Sequence, residues 1–313
     1  MSHTTVSPRG DILDRLKHFL SAWATATPVS MAGTLAPSAR LSSSAHGELQ
    51  GPAAVAKALA LDWPHGHIVR IESTNHHVGV EDDRAVLGAY LYGRISPPGT
   101  SIAPLLFGAL LVGELAATDG GWLFSQLQLT LNWLDGNHAL VPRWNPPRSR
   151  RFWEVGDPAP HLLNELDSPW ARLPFARVAG TAQDEVAEVF MRYIWAMDQA
   201  DFGQMRDTLA HDIAGAFPPI GDLNGRHEVM GQLKNFRQPW PWMQHFCVPL
   251  RVDIEGNQAQ MLLGRVIAQQ PTTPQGLPLY GAHYRIKLRR ENQRWRIFWF
   301  EYVEGWITTP SSI

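Results

Sequence analysis

Cysteine is almost missing from this sequence: Cys247 stands alone among 313 residues. One thiol excludes an intrachain disulfide and any cysteine-built zinc or iron–sulfur centre, and it fits a reducing, cytoplasmic compartment. Neither sign of charge dominates, because 27 Lys and Arg face 29 Asp and Glu for a formal net charge of -2. Such a balance argues against nucleic-acid binding through phosphate neutralisation. Long apolar runs are also lacking. The best, Ile102 to Ala117, is interrupted by Pro104, Gly108, Gly113 and Glu114, and it reads as a buried strand rather than a membrane span of ~20 residues. The first residues enter an amphipathic pattern without the apolar core of a signal peptide, so no membrane partner is expected. Phosphate-binding glycine loops, the nucleophile elbow and the P-loop are absent from the sequence.

What is present is apolar and aromatic. Hydrophobic residues make up 44%, charged residues 18%, and there are 13 tryptophans. That composition builds packed cores, and the length exceeds the roughly 100 to 200 residues of one ordinary domain. Large aromatics fill cores or line pockets for organic ligands.

The chain also repeats itself. At an offset of 174 positions, Ile12, Leu16, Phe19, Leu20 and Trp23 fall on Val186, Phe190, Tyr193, Ile194 and Met197, an apolar stripe with helical spacing in both halves. Leu35, Gly47, Leu49, Gly51, Val55, Leu59, Val78 and Ala85 continue the register onto Leu209, Gly221, Leu223, Gly225, Val229, Leu233, Val252 and Ala259. After a one-residue slip the offset is 173, and Gly108, Ala109, Leu115, Trp122 and Trp133 meet Gly281, Ala282, Leu288, Trp295 and Trp306. Each copy reads as helices followed by strands, an α+β arrangement with a mainly antiparallel sheet. In the second copy helices are predicted from Thr181 to about Ala200, over Phe202 to Leu209, and from Gly225. Strands are predicted at about 245 to 254, 259 to 269, 279 to 290 and 295 to 304. The expected division is 9–141, an extended connector over 142–180 with aromatic anchors, and 181–308.

The segments YIWAMDQADFGQMRDTLAHD, LNGRHEVMGQL, QHFCVPLRVDIEGNQAQMLLGRV and GAHYRIKLRRENQRWRIFWFEY resemble the SnoaL-like branch of the nuclear transport factor 2-like superfamily. The resemblance covers nearly all of the second copy. It implies a cone-shaped fold in which a curved sheet wraps helices around an apolar pocket. The two copies would then form an intrachain pseudodimer about a pseudo-two-fold axis, with a further homo-oligomer open. The superfamily includes scytalone dehydratase, bile-acid dehydratases, ketosteroid isomerase, polyketide cyclases and small binding or assembly proteins, among which fold cannot choose.

Carried over residue by residue, Asp198 looks like the pocket aspartate of the dehydratases, His245 like their catalytic histidine, and His283 like the second pocket histidine of scytalone dehydratase. Tyr193, five residues before Asp198, is similar to the spacing in bile-acid dehydratases; scytalone dehydratase has a tyrosine directly before its aspartate, where this chain has Met197. An Asp198–His245 pair suits dehydration of a β-hydroxy carbonyl compound, because imidazole titrates near working pH and a carboxylate fixes its tautomer. His283, Tyr193, Tyr280 or Tyr284 would donate to the carbonyl oxygen. Trp195, Trp242, Phe246 and Trp299 would wall the site against water, and Tyr280 and Tyr284 complete the expected binding set. No cofactor or metal is implied, although Asp198, His245 and His283 have the residue types of a two-histidine, one-carboxylate iron site.

Simpler roles stand beside these. Asp198 would serve equally as a cap in AMDQAD, and His245 as a packing histidine. Strand alternation sets His283 on the face of Arg285, Lys287 and Arg289. In the first copy Phe19, Ala24, Ile71 and Leu110 stand where the second has Tyr193, Asp198, His245 and His283, so the N-terminal copy reads as a scaffold lacking these acid–base groups. The leading expectation is a cofactor-independent dehydratase, isomerase or cyclase acting on a small apolar carbonyl metabolite in the C-terminal pocket. The alternative is a non-catalytic small-molecule binding or assembly protein.

Overall fold

The computed structural model describes residues 7–99, 103–144, 155 and 163–308. The chain divides into two compact units, one of residues 1–150 with 156–180, the other of 151–155 with 181–313.

The N-terminal unit begins with α1 (Pro8–Ala24), whose proline occupies the first turn where its missing N–H costs nothing. Then come α2 (Pro28–Ala32), β1 (Leu35–Ser43), β2 (Gly47–Gln50), α3 (Pro52–Ala60), β3 (Ile68–Glu81), β4 (Arg84–Ser96), β5 (Leu105–Thr118) and β6 (Gly121–Gly136). The described part of the connector adds α4 (Pro169–Arg172) and β7 (Arg177–Val178). It packs on this unit: β7 pairs with β3, and Arg172 bonds Glu114 and Gln128. The sheet order is β2-β1-β6-β5-β4-β3-β7, with β1 and β6 parallel.

The C-terminal unit runs α5 (Ala182–Asp198), α6 (Phe202–Thr208), β8 (Leu209–Phe217), β9 (Gly221–Asn224), α7 (Arg226–Arg237), β10 (Phe246–Glu255), β11 (Gln258–Val266), β12 (Tyr280–Glu291) and β13 (Arg294–Ile307). Its order is β10-β11-β12-β13-β8-β9, with β13 and β8 parallel. Setting β3 against β10, β4 against β11, and so on makes the two strand orders match down to the parallel pair, with β7 an additional edge strand in the N-terminal sheet. The backbone agrees at its turns as well: Ala26 and Ala200 both have positive φ, 51° and 60°, and Gly51 and Gly225 both have φ 87°. Segments β8 and β9 were absent from the expected strands; both sheets are otherwise antiparallel, and each unit is α+β. Among the described residues, no helix is long and apolar enough to cross a membrane.

Candidate active site

Two aspartates close to each other in AMDQAD do different work. Helix α5 starts in a capping box, with the Thr181 hydroxyl accepting from the Asp184 amide and the Asp184 carboxylate accepting from the Thr181 amide. It ends at Asp198, beyond which Ala200 takes its positive φ and reverses the chain. Asp201 then caps α6, its carboxylate accepting the Gln204 amide at 2.9 Å. The capping role therefore belongs to Asp201, and Asp198 turns inward with no exposed surface.

Both carboxylate oxygens of Asp198 go to one residue. Its Oδ2 accepts the backbone N–H of His245 at 2.8 Å, and its Oδ1 lies 2.6 Å from His245 Nδ1. His245 directly precedes β10 and is 9% exposed. Sequence reading missed the residue that holds this pair in place. Arg237, in the last turn of α7, donates through one nitrogen to the backbone carbonyls of Asp198 and Pro241, each at 3.0 Å. It thereby ties the end of α5 to the segment leading into His245. The signal was available, because Val229, Leu233 and Arg237 are four residues apart and form the buried stripe of α7.

Tyr193 lies one and a half turns back along α5, its ring 5.7 Å from Phe190 and 5.5 Å from Phe300. Burial, then the Asp198 charge and Cys247, push its phenol far above the ordinary range, so it is a neutral donor. On the sheet, Cys247 and Tyr284 face the same interior, across the strand from Arg265 and Leu263 respectively. Burial is the main cause holding both groups protonated. Tyr284 also packs on Phe190 at 5.1 Å and Tyr302 at 5.1 Å.

Three of the expected residues, His283, Tyr280 and Trp299, are on the other face of the sheet. His283 pairs in the sheet with Gly264 and Val303, one step from Tyr284, so its side chain emerges on the opposite face beside Arg285 and Glu301. There it is 6% exposed with neither ring nitrogen bonded, and burial, followed by Arg285, lowers its pKa. Alternation thus overrides the position carried over from the family, and Asp198, His245 and His283 do not converge. Among the described residues, no group of three or more His, Cys, Asp or Glu is placed to hold a metal. Tyr280 is on the His283 face too, its ring filling the space where a Cβ on Gly264 would stand, at 2.5 Å. Trp299 is 38% exposed and opposite Lys287, turned out by a bulge that lets both Ile297 and Phe300 point inward. Trp195 and Trp242 are buried, with Trp195 about 200° around the helix from Tyr193. Phe246 is buried on the strand face opposite Cys247. Of the expected wall, Tyr284 is placed on the interior face with Cys247, packed against the Phe190 and Phe300 rings that also contact Tyr193.

The N-terminal unit fills the equivalent interior with rings. Trp63 contacts Trp23 at 5.3 Å, Phe107 at 5.9 Å and Trp144 at 5.3 Å. A cleft of about 190 Å³ opens beside them, lined by residues including Asp62, Trp63, Leu140, Arg143 and Trp144. This unit is apolar at the four compared positions, yet it buries an acid–base pair of its own. Asp62 accepts from Trp23 Nε1 at 2.9 Å and Trp144 Nε1 at 3.0 Å, and lies 2.8 Å from His46 Nε2.

Residues 180–300 match the family model of the SnoaL-like domain. The chain thus carries a SnoaL-like domain as most of its C-terminal unit. Among solved structures, a hexachlorocyclohexane dehydrochlorinase, LinA type 2, is 20% identical over 41% of this chain and 88% of its own, with a TM-score of 0.36. The LinA-type3 enzyme from Novosphingobium barchaimii LL02 is 20% identical over 44% and 94%, TM-score 0.35. The Kfla4162 protein from Kribbella flavida is 16% identical over 42% and 95%, TM-score 0.36. No curated protein matches the chain.

Proposed function

We propose that the C-terminal domain is a lyase or isomerase that works by proton transfer without a cofactor on a small apolar carbonyl metabolite, and that the two units are copies of one domain. The observation that carries this reading is the two-point hold of Asp198 on His245, inside a wall of neutral donors. With Nδ1 committed to Asp198, the ring exchanges protons through Nε2. In a dehydration, Nε2 removes the proton next to the carbonyl, and the C–H electron pair passes through the enolate to the new C=C bond. The C–O bond breaks, and the imidazolium returns the proton to the departing hydroxyl as water. Asp198 stabilises the cation meanwhile, and Tyr193 or Tyr284 is the donor suited to the enolate oxygen. In an isomerisation the same proton returns to another carbon.

The test uses β-hydroxy carbonyl substrates and follows the absorbance of the conjugated product. His245→Ala is expected to cost at least ~100-fold in kcat/KM with the fold intact by circular dichroism. Unchanged turnover in His245→Ala and Asp198→Asn would reject this reading in favour of a binding protein.

A further inference from the structure

The inner wall of the C-terminal unit holds a cation that the fold does not require. Along β11, alternation sets Arg265 on the face of Ala259, Met261 and Leu263, three buried apolar residues. Arg265 pairs across the sheet with Cys247 on one side and Ala282 on the other. Its Nη1 donates to the Tyr302 hydroxyl at 3.1 Å, and its guanidinium carbon lies 5.9 Å from the Tyr302 ring centre. A guanidinium has five N–H donors and stays charged. Among the described residues this one makes a single hydrogen bond and no ion pair. The groups that act on it electrostatically are Tyr284, Tyr302 and Cys247. Tyr284 and Cys247 are held protonated by burial and supply no negative charge. A cation partly withdrawn from water favours an anion beside it, and the described residues place none there.

The N-terminal unit shows that folding does not demand this arrangement. Its Leu91 pairs with Ser73 and Ala109, in the register by which Arg265 pairs with Cys247 and Ala282. Leu111 pairs with Ala89 and Leu129, as Tyr284 does with Leu263 and Tyr302. Leucines thus replace Arg265, Tyr284 and Tyr302, and all three are buried. The same sheet closes without the polar set.

We propose that Arg265, with Tyr302 and Tyr284, forms an anion-receiving subsite in the C-terminal domain, and that the substrate is a small apolar carboxylic acid whose carboxylate pairs with Arg265. This rests on the reading of the same interior as the reaction site. One guanidinium with no second cation among its electrostatic neighbours suits a monoanion, and its planar fork matches a carboxylate. Cys247, its cross-strand neighbour, is two residues from His245 on the same face, about 7 Å along the strand. An acid anchored at Arg265 therefore brings its carbon skeleton toward Nε2 of His245.

The test measures binding by calorimetry for three acids, benzoate, cinnamate and 2-naphthoate, each against its neutral amide, on the full chain. The wild type is expected to prefer at least one acid over its amide by about ten- to a hundredfold. Arg265→Met should abolish that preference, and Arg265→Lys should keep its direction while reducing it. His245→Ala should retain it, which separates this subsite from the proton-transfer reading: loss of turnover without loss of acid preference, or the reverse, shows which of the two has failed. Acid preference persisting in a folded Arg265→Met protein would overturn the proposal. So would a wild type showing no acid preference across the panel, including one that binds none of the six compounds. If Arg265→Met does not fold, the Arg265→Lys measurement decides, and an undiminished preference there counts against the proposal.

Discussion

The two units use one strand order to build opposite interiors. In the C-terminal unit Tyr193, Asp198, His245, Cys247, Arg265, Tyr284 and Tyr302 face the cone, where the N-terminal unit has Phe19, Ala24, Ile71, Ser73, Leu91, Leu111 and Leu129. One structural device survives the change. Arg237 donates to the last carbonyl of α5, and at the same place Trp63 Nε1 donates to the Trp23 carbonyl near the end of α1, at 2.6 Å. The helix ends must be satisfied in both units because their carbonyls are buried. The Asp198–His245 pair has no counterpart at the matching positions, Ala24 and Ile71, and the N-terminal unit sets its own pair, Asp62 and His46, elsewhere. The fold sets the positions, and the side chains at a few of them decide between a polar and an apolar interior.

The sharpest way to break this contrast is to write the N-terminal pattern into the C-terminal unit. Asp198→Ala with His245→Ile removes both partners together, so no buried charge is left unpaired. Activity should fall by at least ~100-fold, and the backbone N–H of residue 245, left without its acceptor, should cost about 1 to 3 kcal/mol of stability with the protein still folded. A double variant that fails to fold would show that the pair is structural.

A smaller effect is expected from disturbing the plug of the N-terminal unit. A Cβ on Gly93 would stand 2.2 Å from two ring atoms of Phe107, and that ring is pinned by Trp23, Trp63 and Trp144. Gly93→Ala should destabilise the unit by about 1 to 3 kcal/mol in urea denaturation, with kcat of the C-terminal site unchanged. Stability unchanged in this variant would mean the plug is loose.

The smallest effect concerns pH. His76 in the N-terminal unit has its pKa lowered from 6.5 to about 4, by burial first and then by Arg9. The unfolded chain binds this proton more readily, so the contribution of neutral His76 is complete above pH 6.5 and declines as the pH falls toward 4. His76→Gln should flatten the stability profile in that window relative to wild type. Parallel profiles for the two proteins would contradict it.

Much of this architecture is legible in the sequence, because the helical stripes and the strand alternation recur at a constant offset. The strand β8, LAHDIAGAF, was not legible: alanine, glycine and aspartate have weak strand preference, and its partner β13 is far away in sequence. Asp198 and His245 could be named, but their contact depends on a loop closure that no local pattern encodes. His283 is the instructive case. Its alternation with Arg285 and Lys287 placed it on the outer face, and local geometry proved the better guide than its position in the family pattern. Arg265 was readable by that same alternation, as the one charged residue on an apolar strand face.

The double grip on His245 also fixes which form of the ring exists. A carboxylate accepts at both oxygens, so it satisfies the backbone N–H and a protonated Nδ1 at the same time. An asparagine has one acceptor and one donor group in those two places. If its oxygen keeps the backbone N–H, its amide group faces Nδ1 and requires a lone pair there, which moves the ring proton to Nε2. Asp198→Asn would then leave a histidine in place with its proton on Nε2, the atom that the proposed reaction needs to accept one.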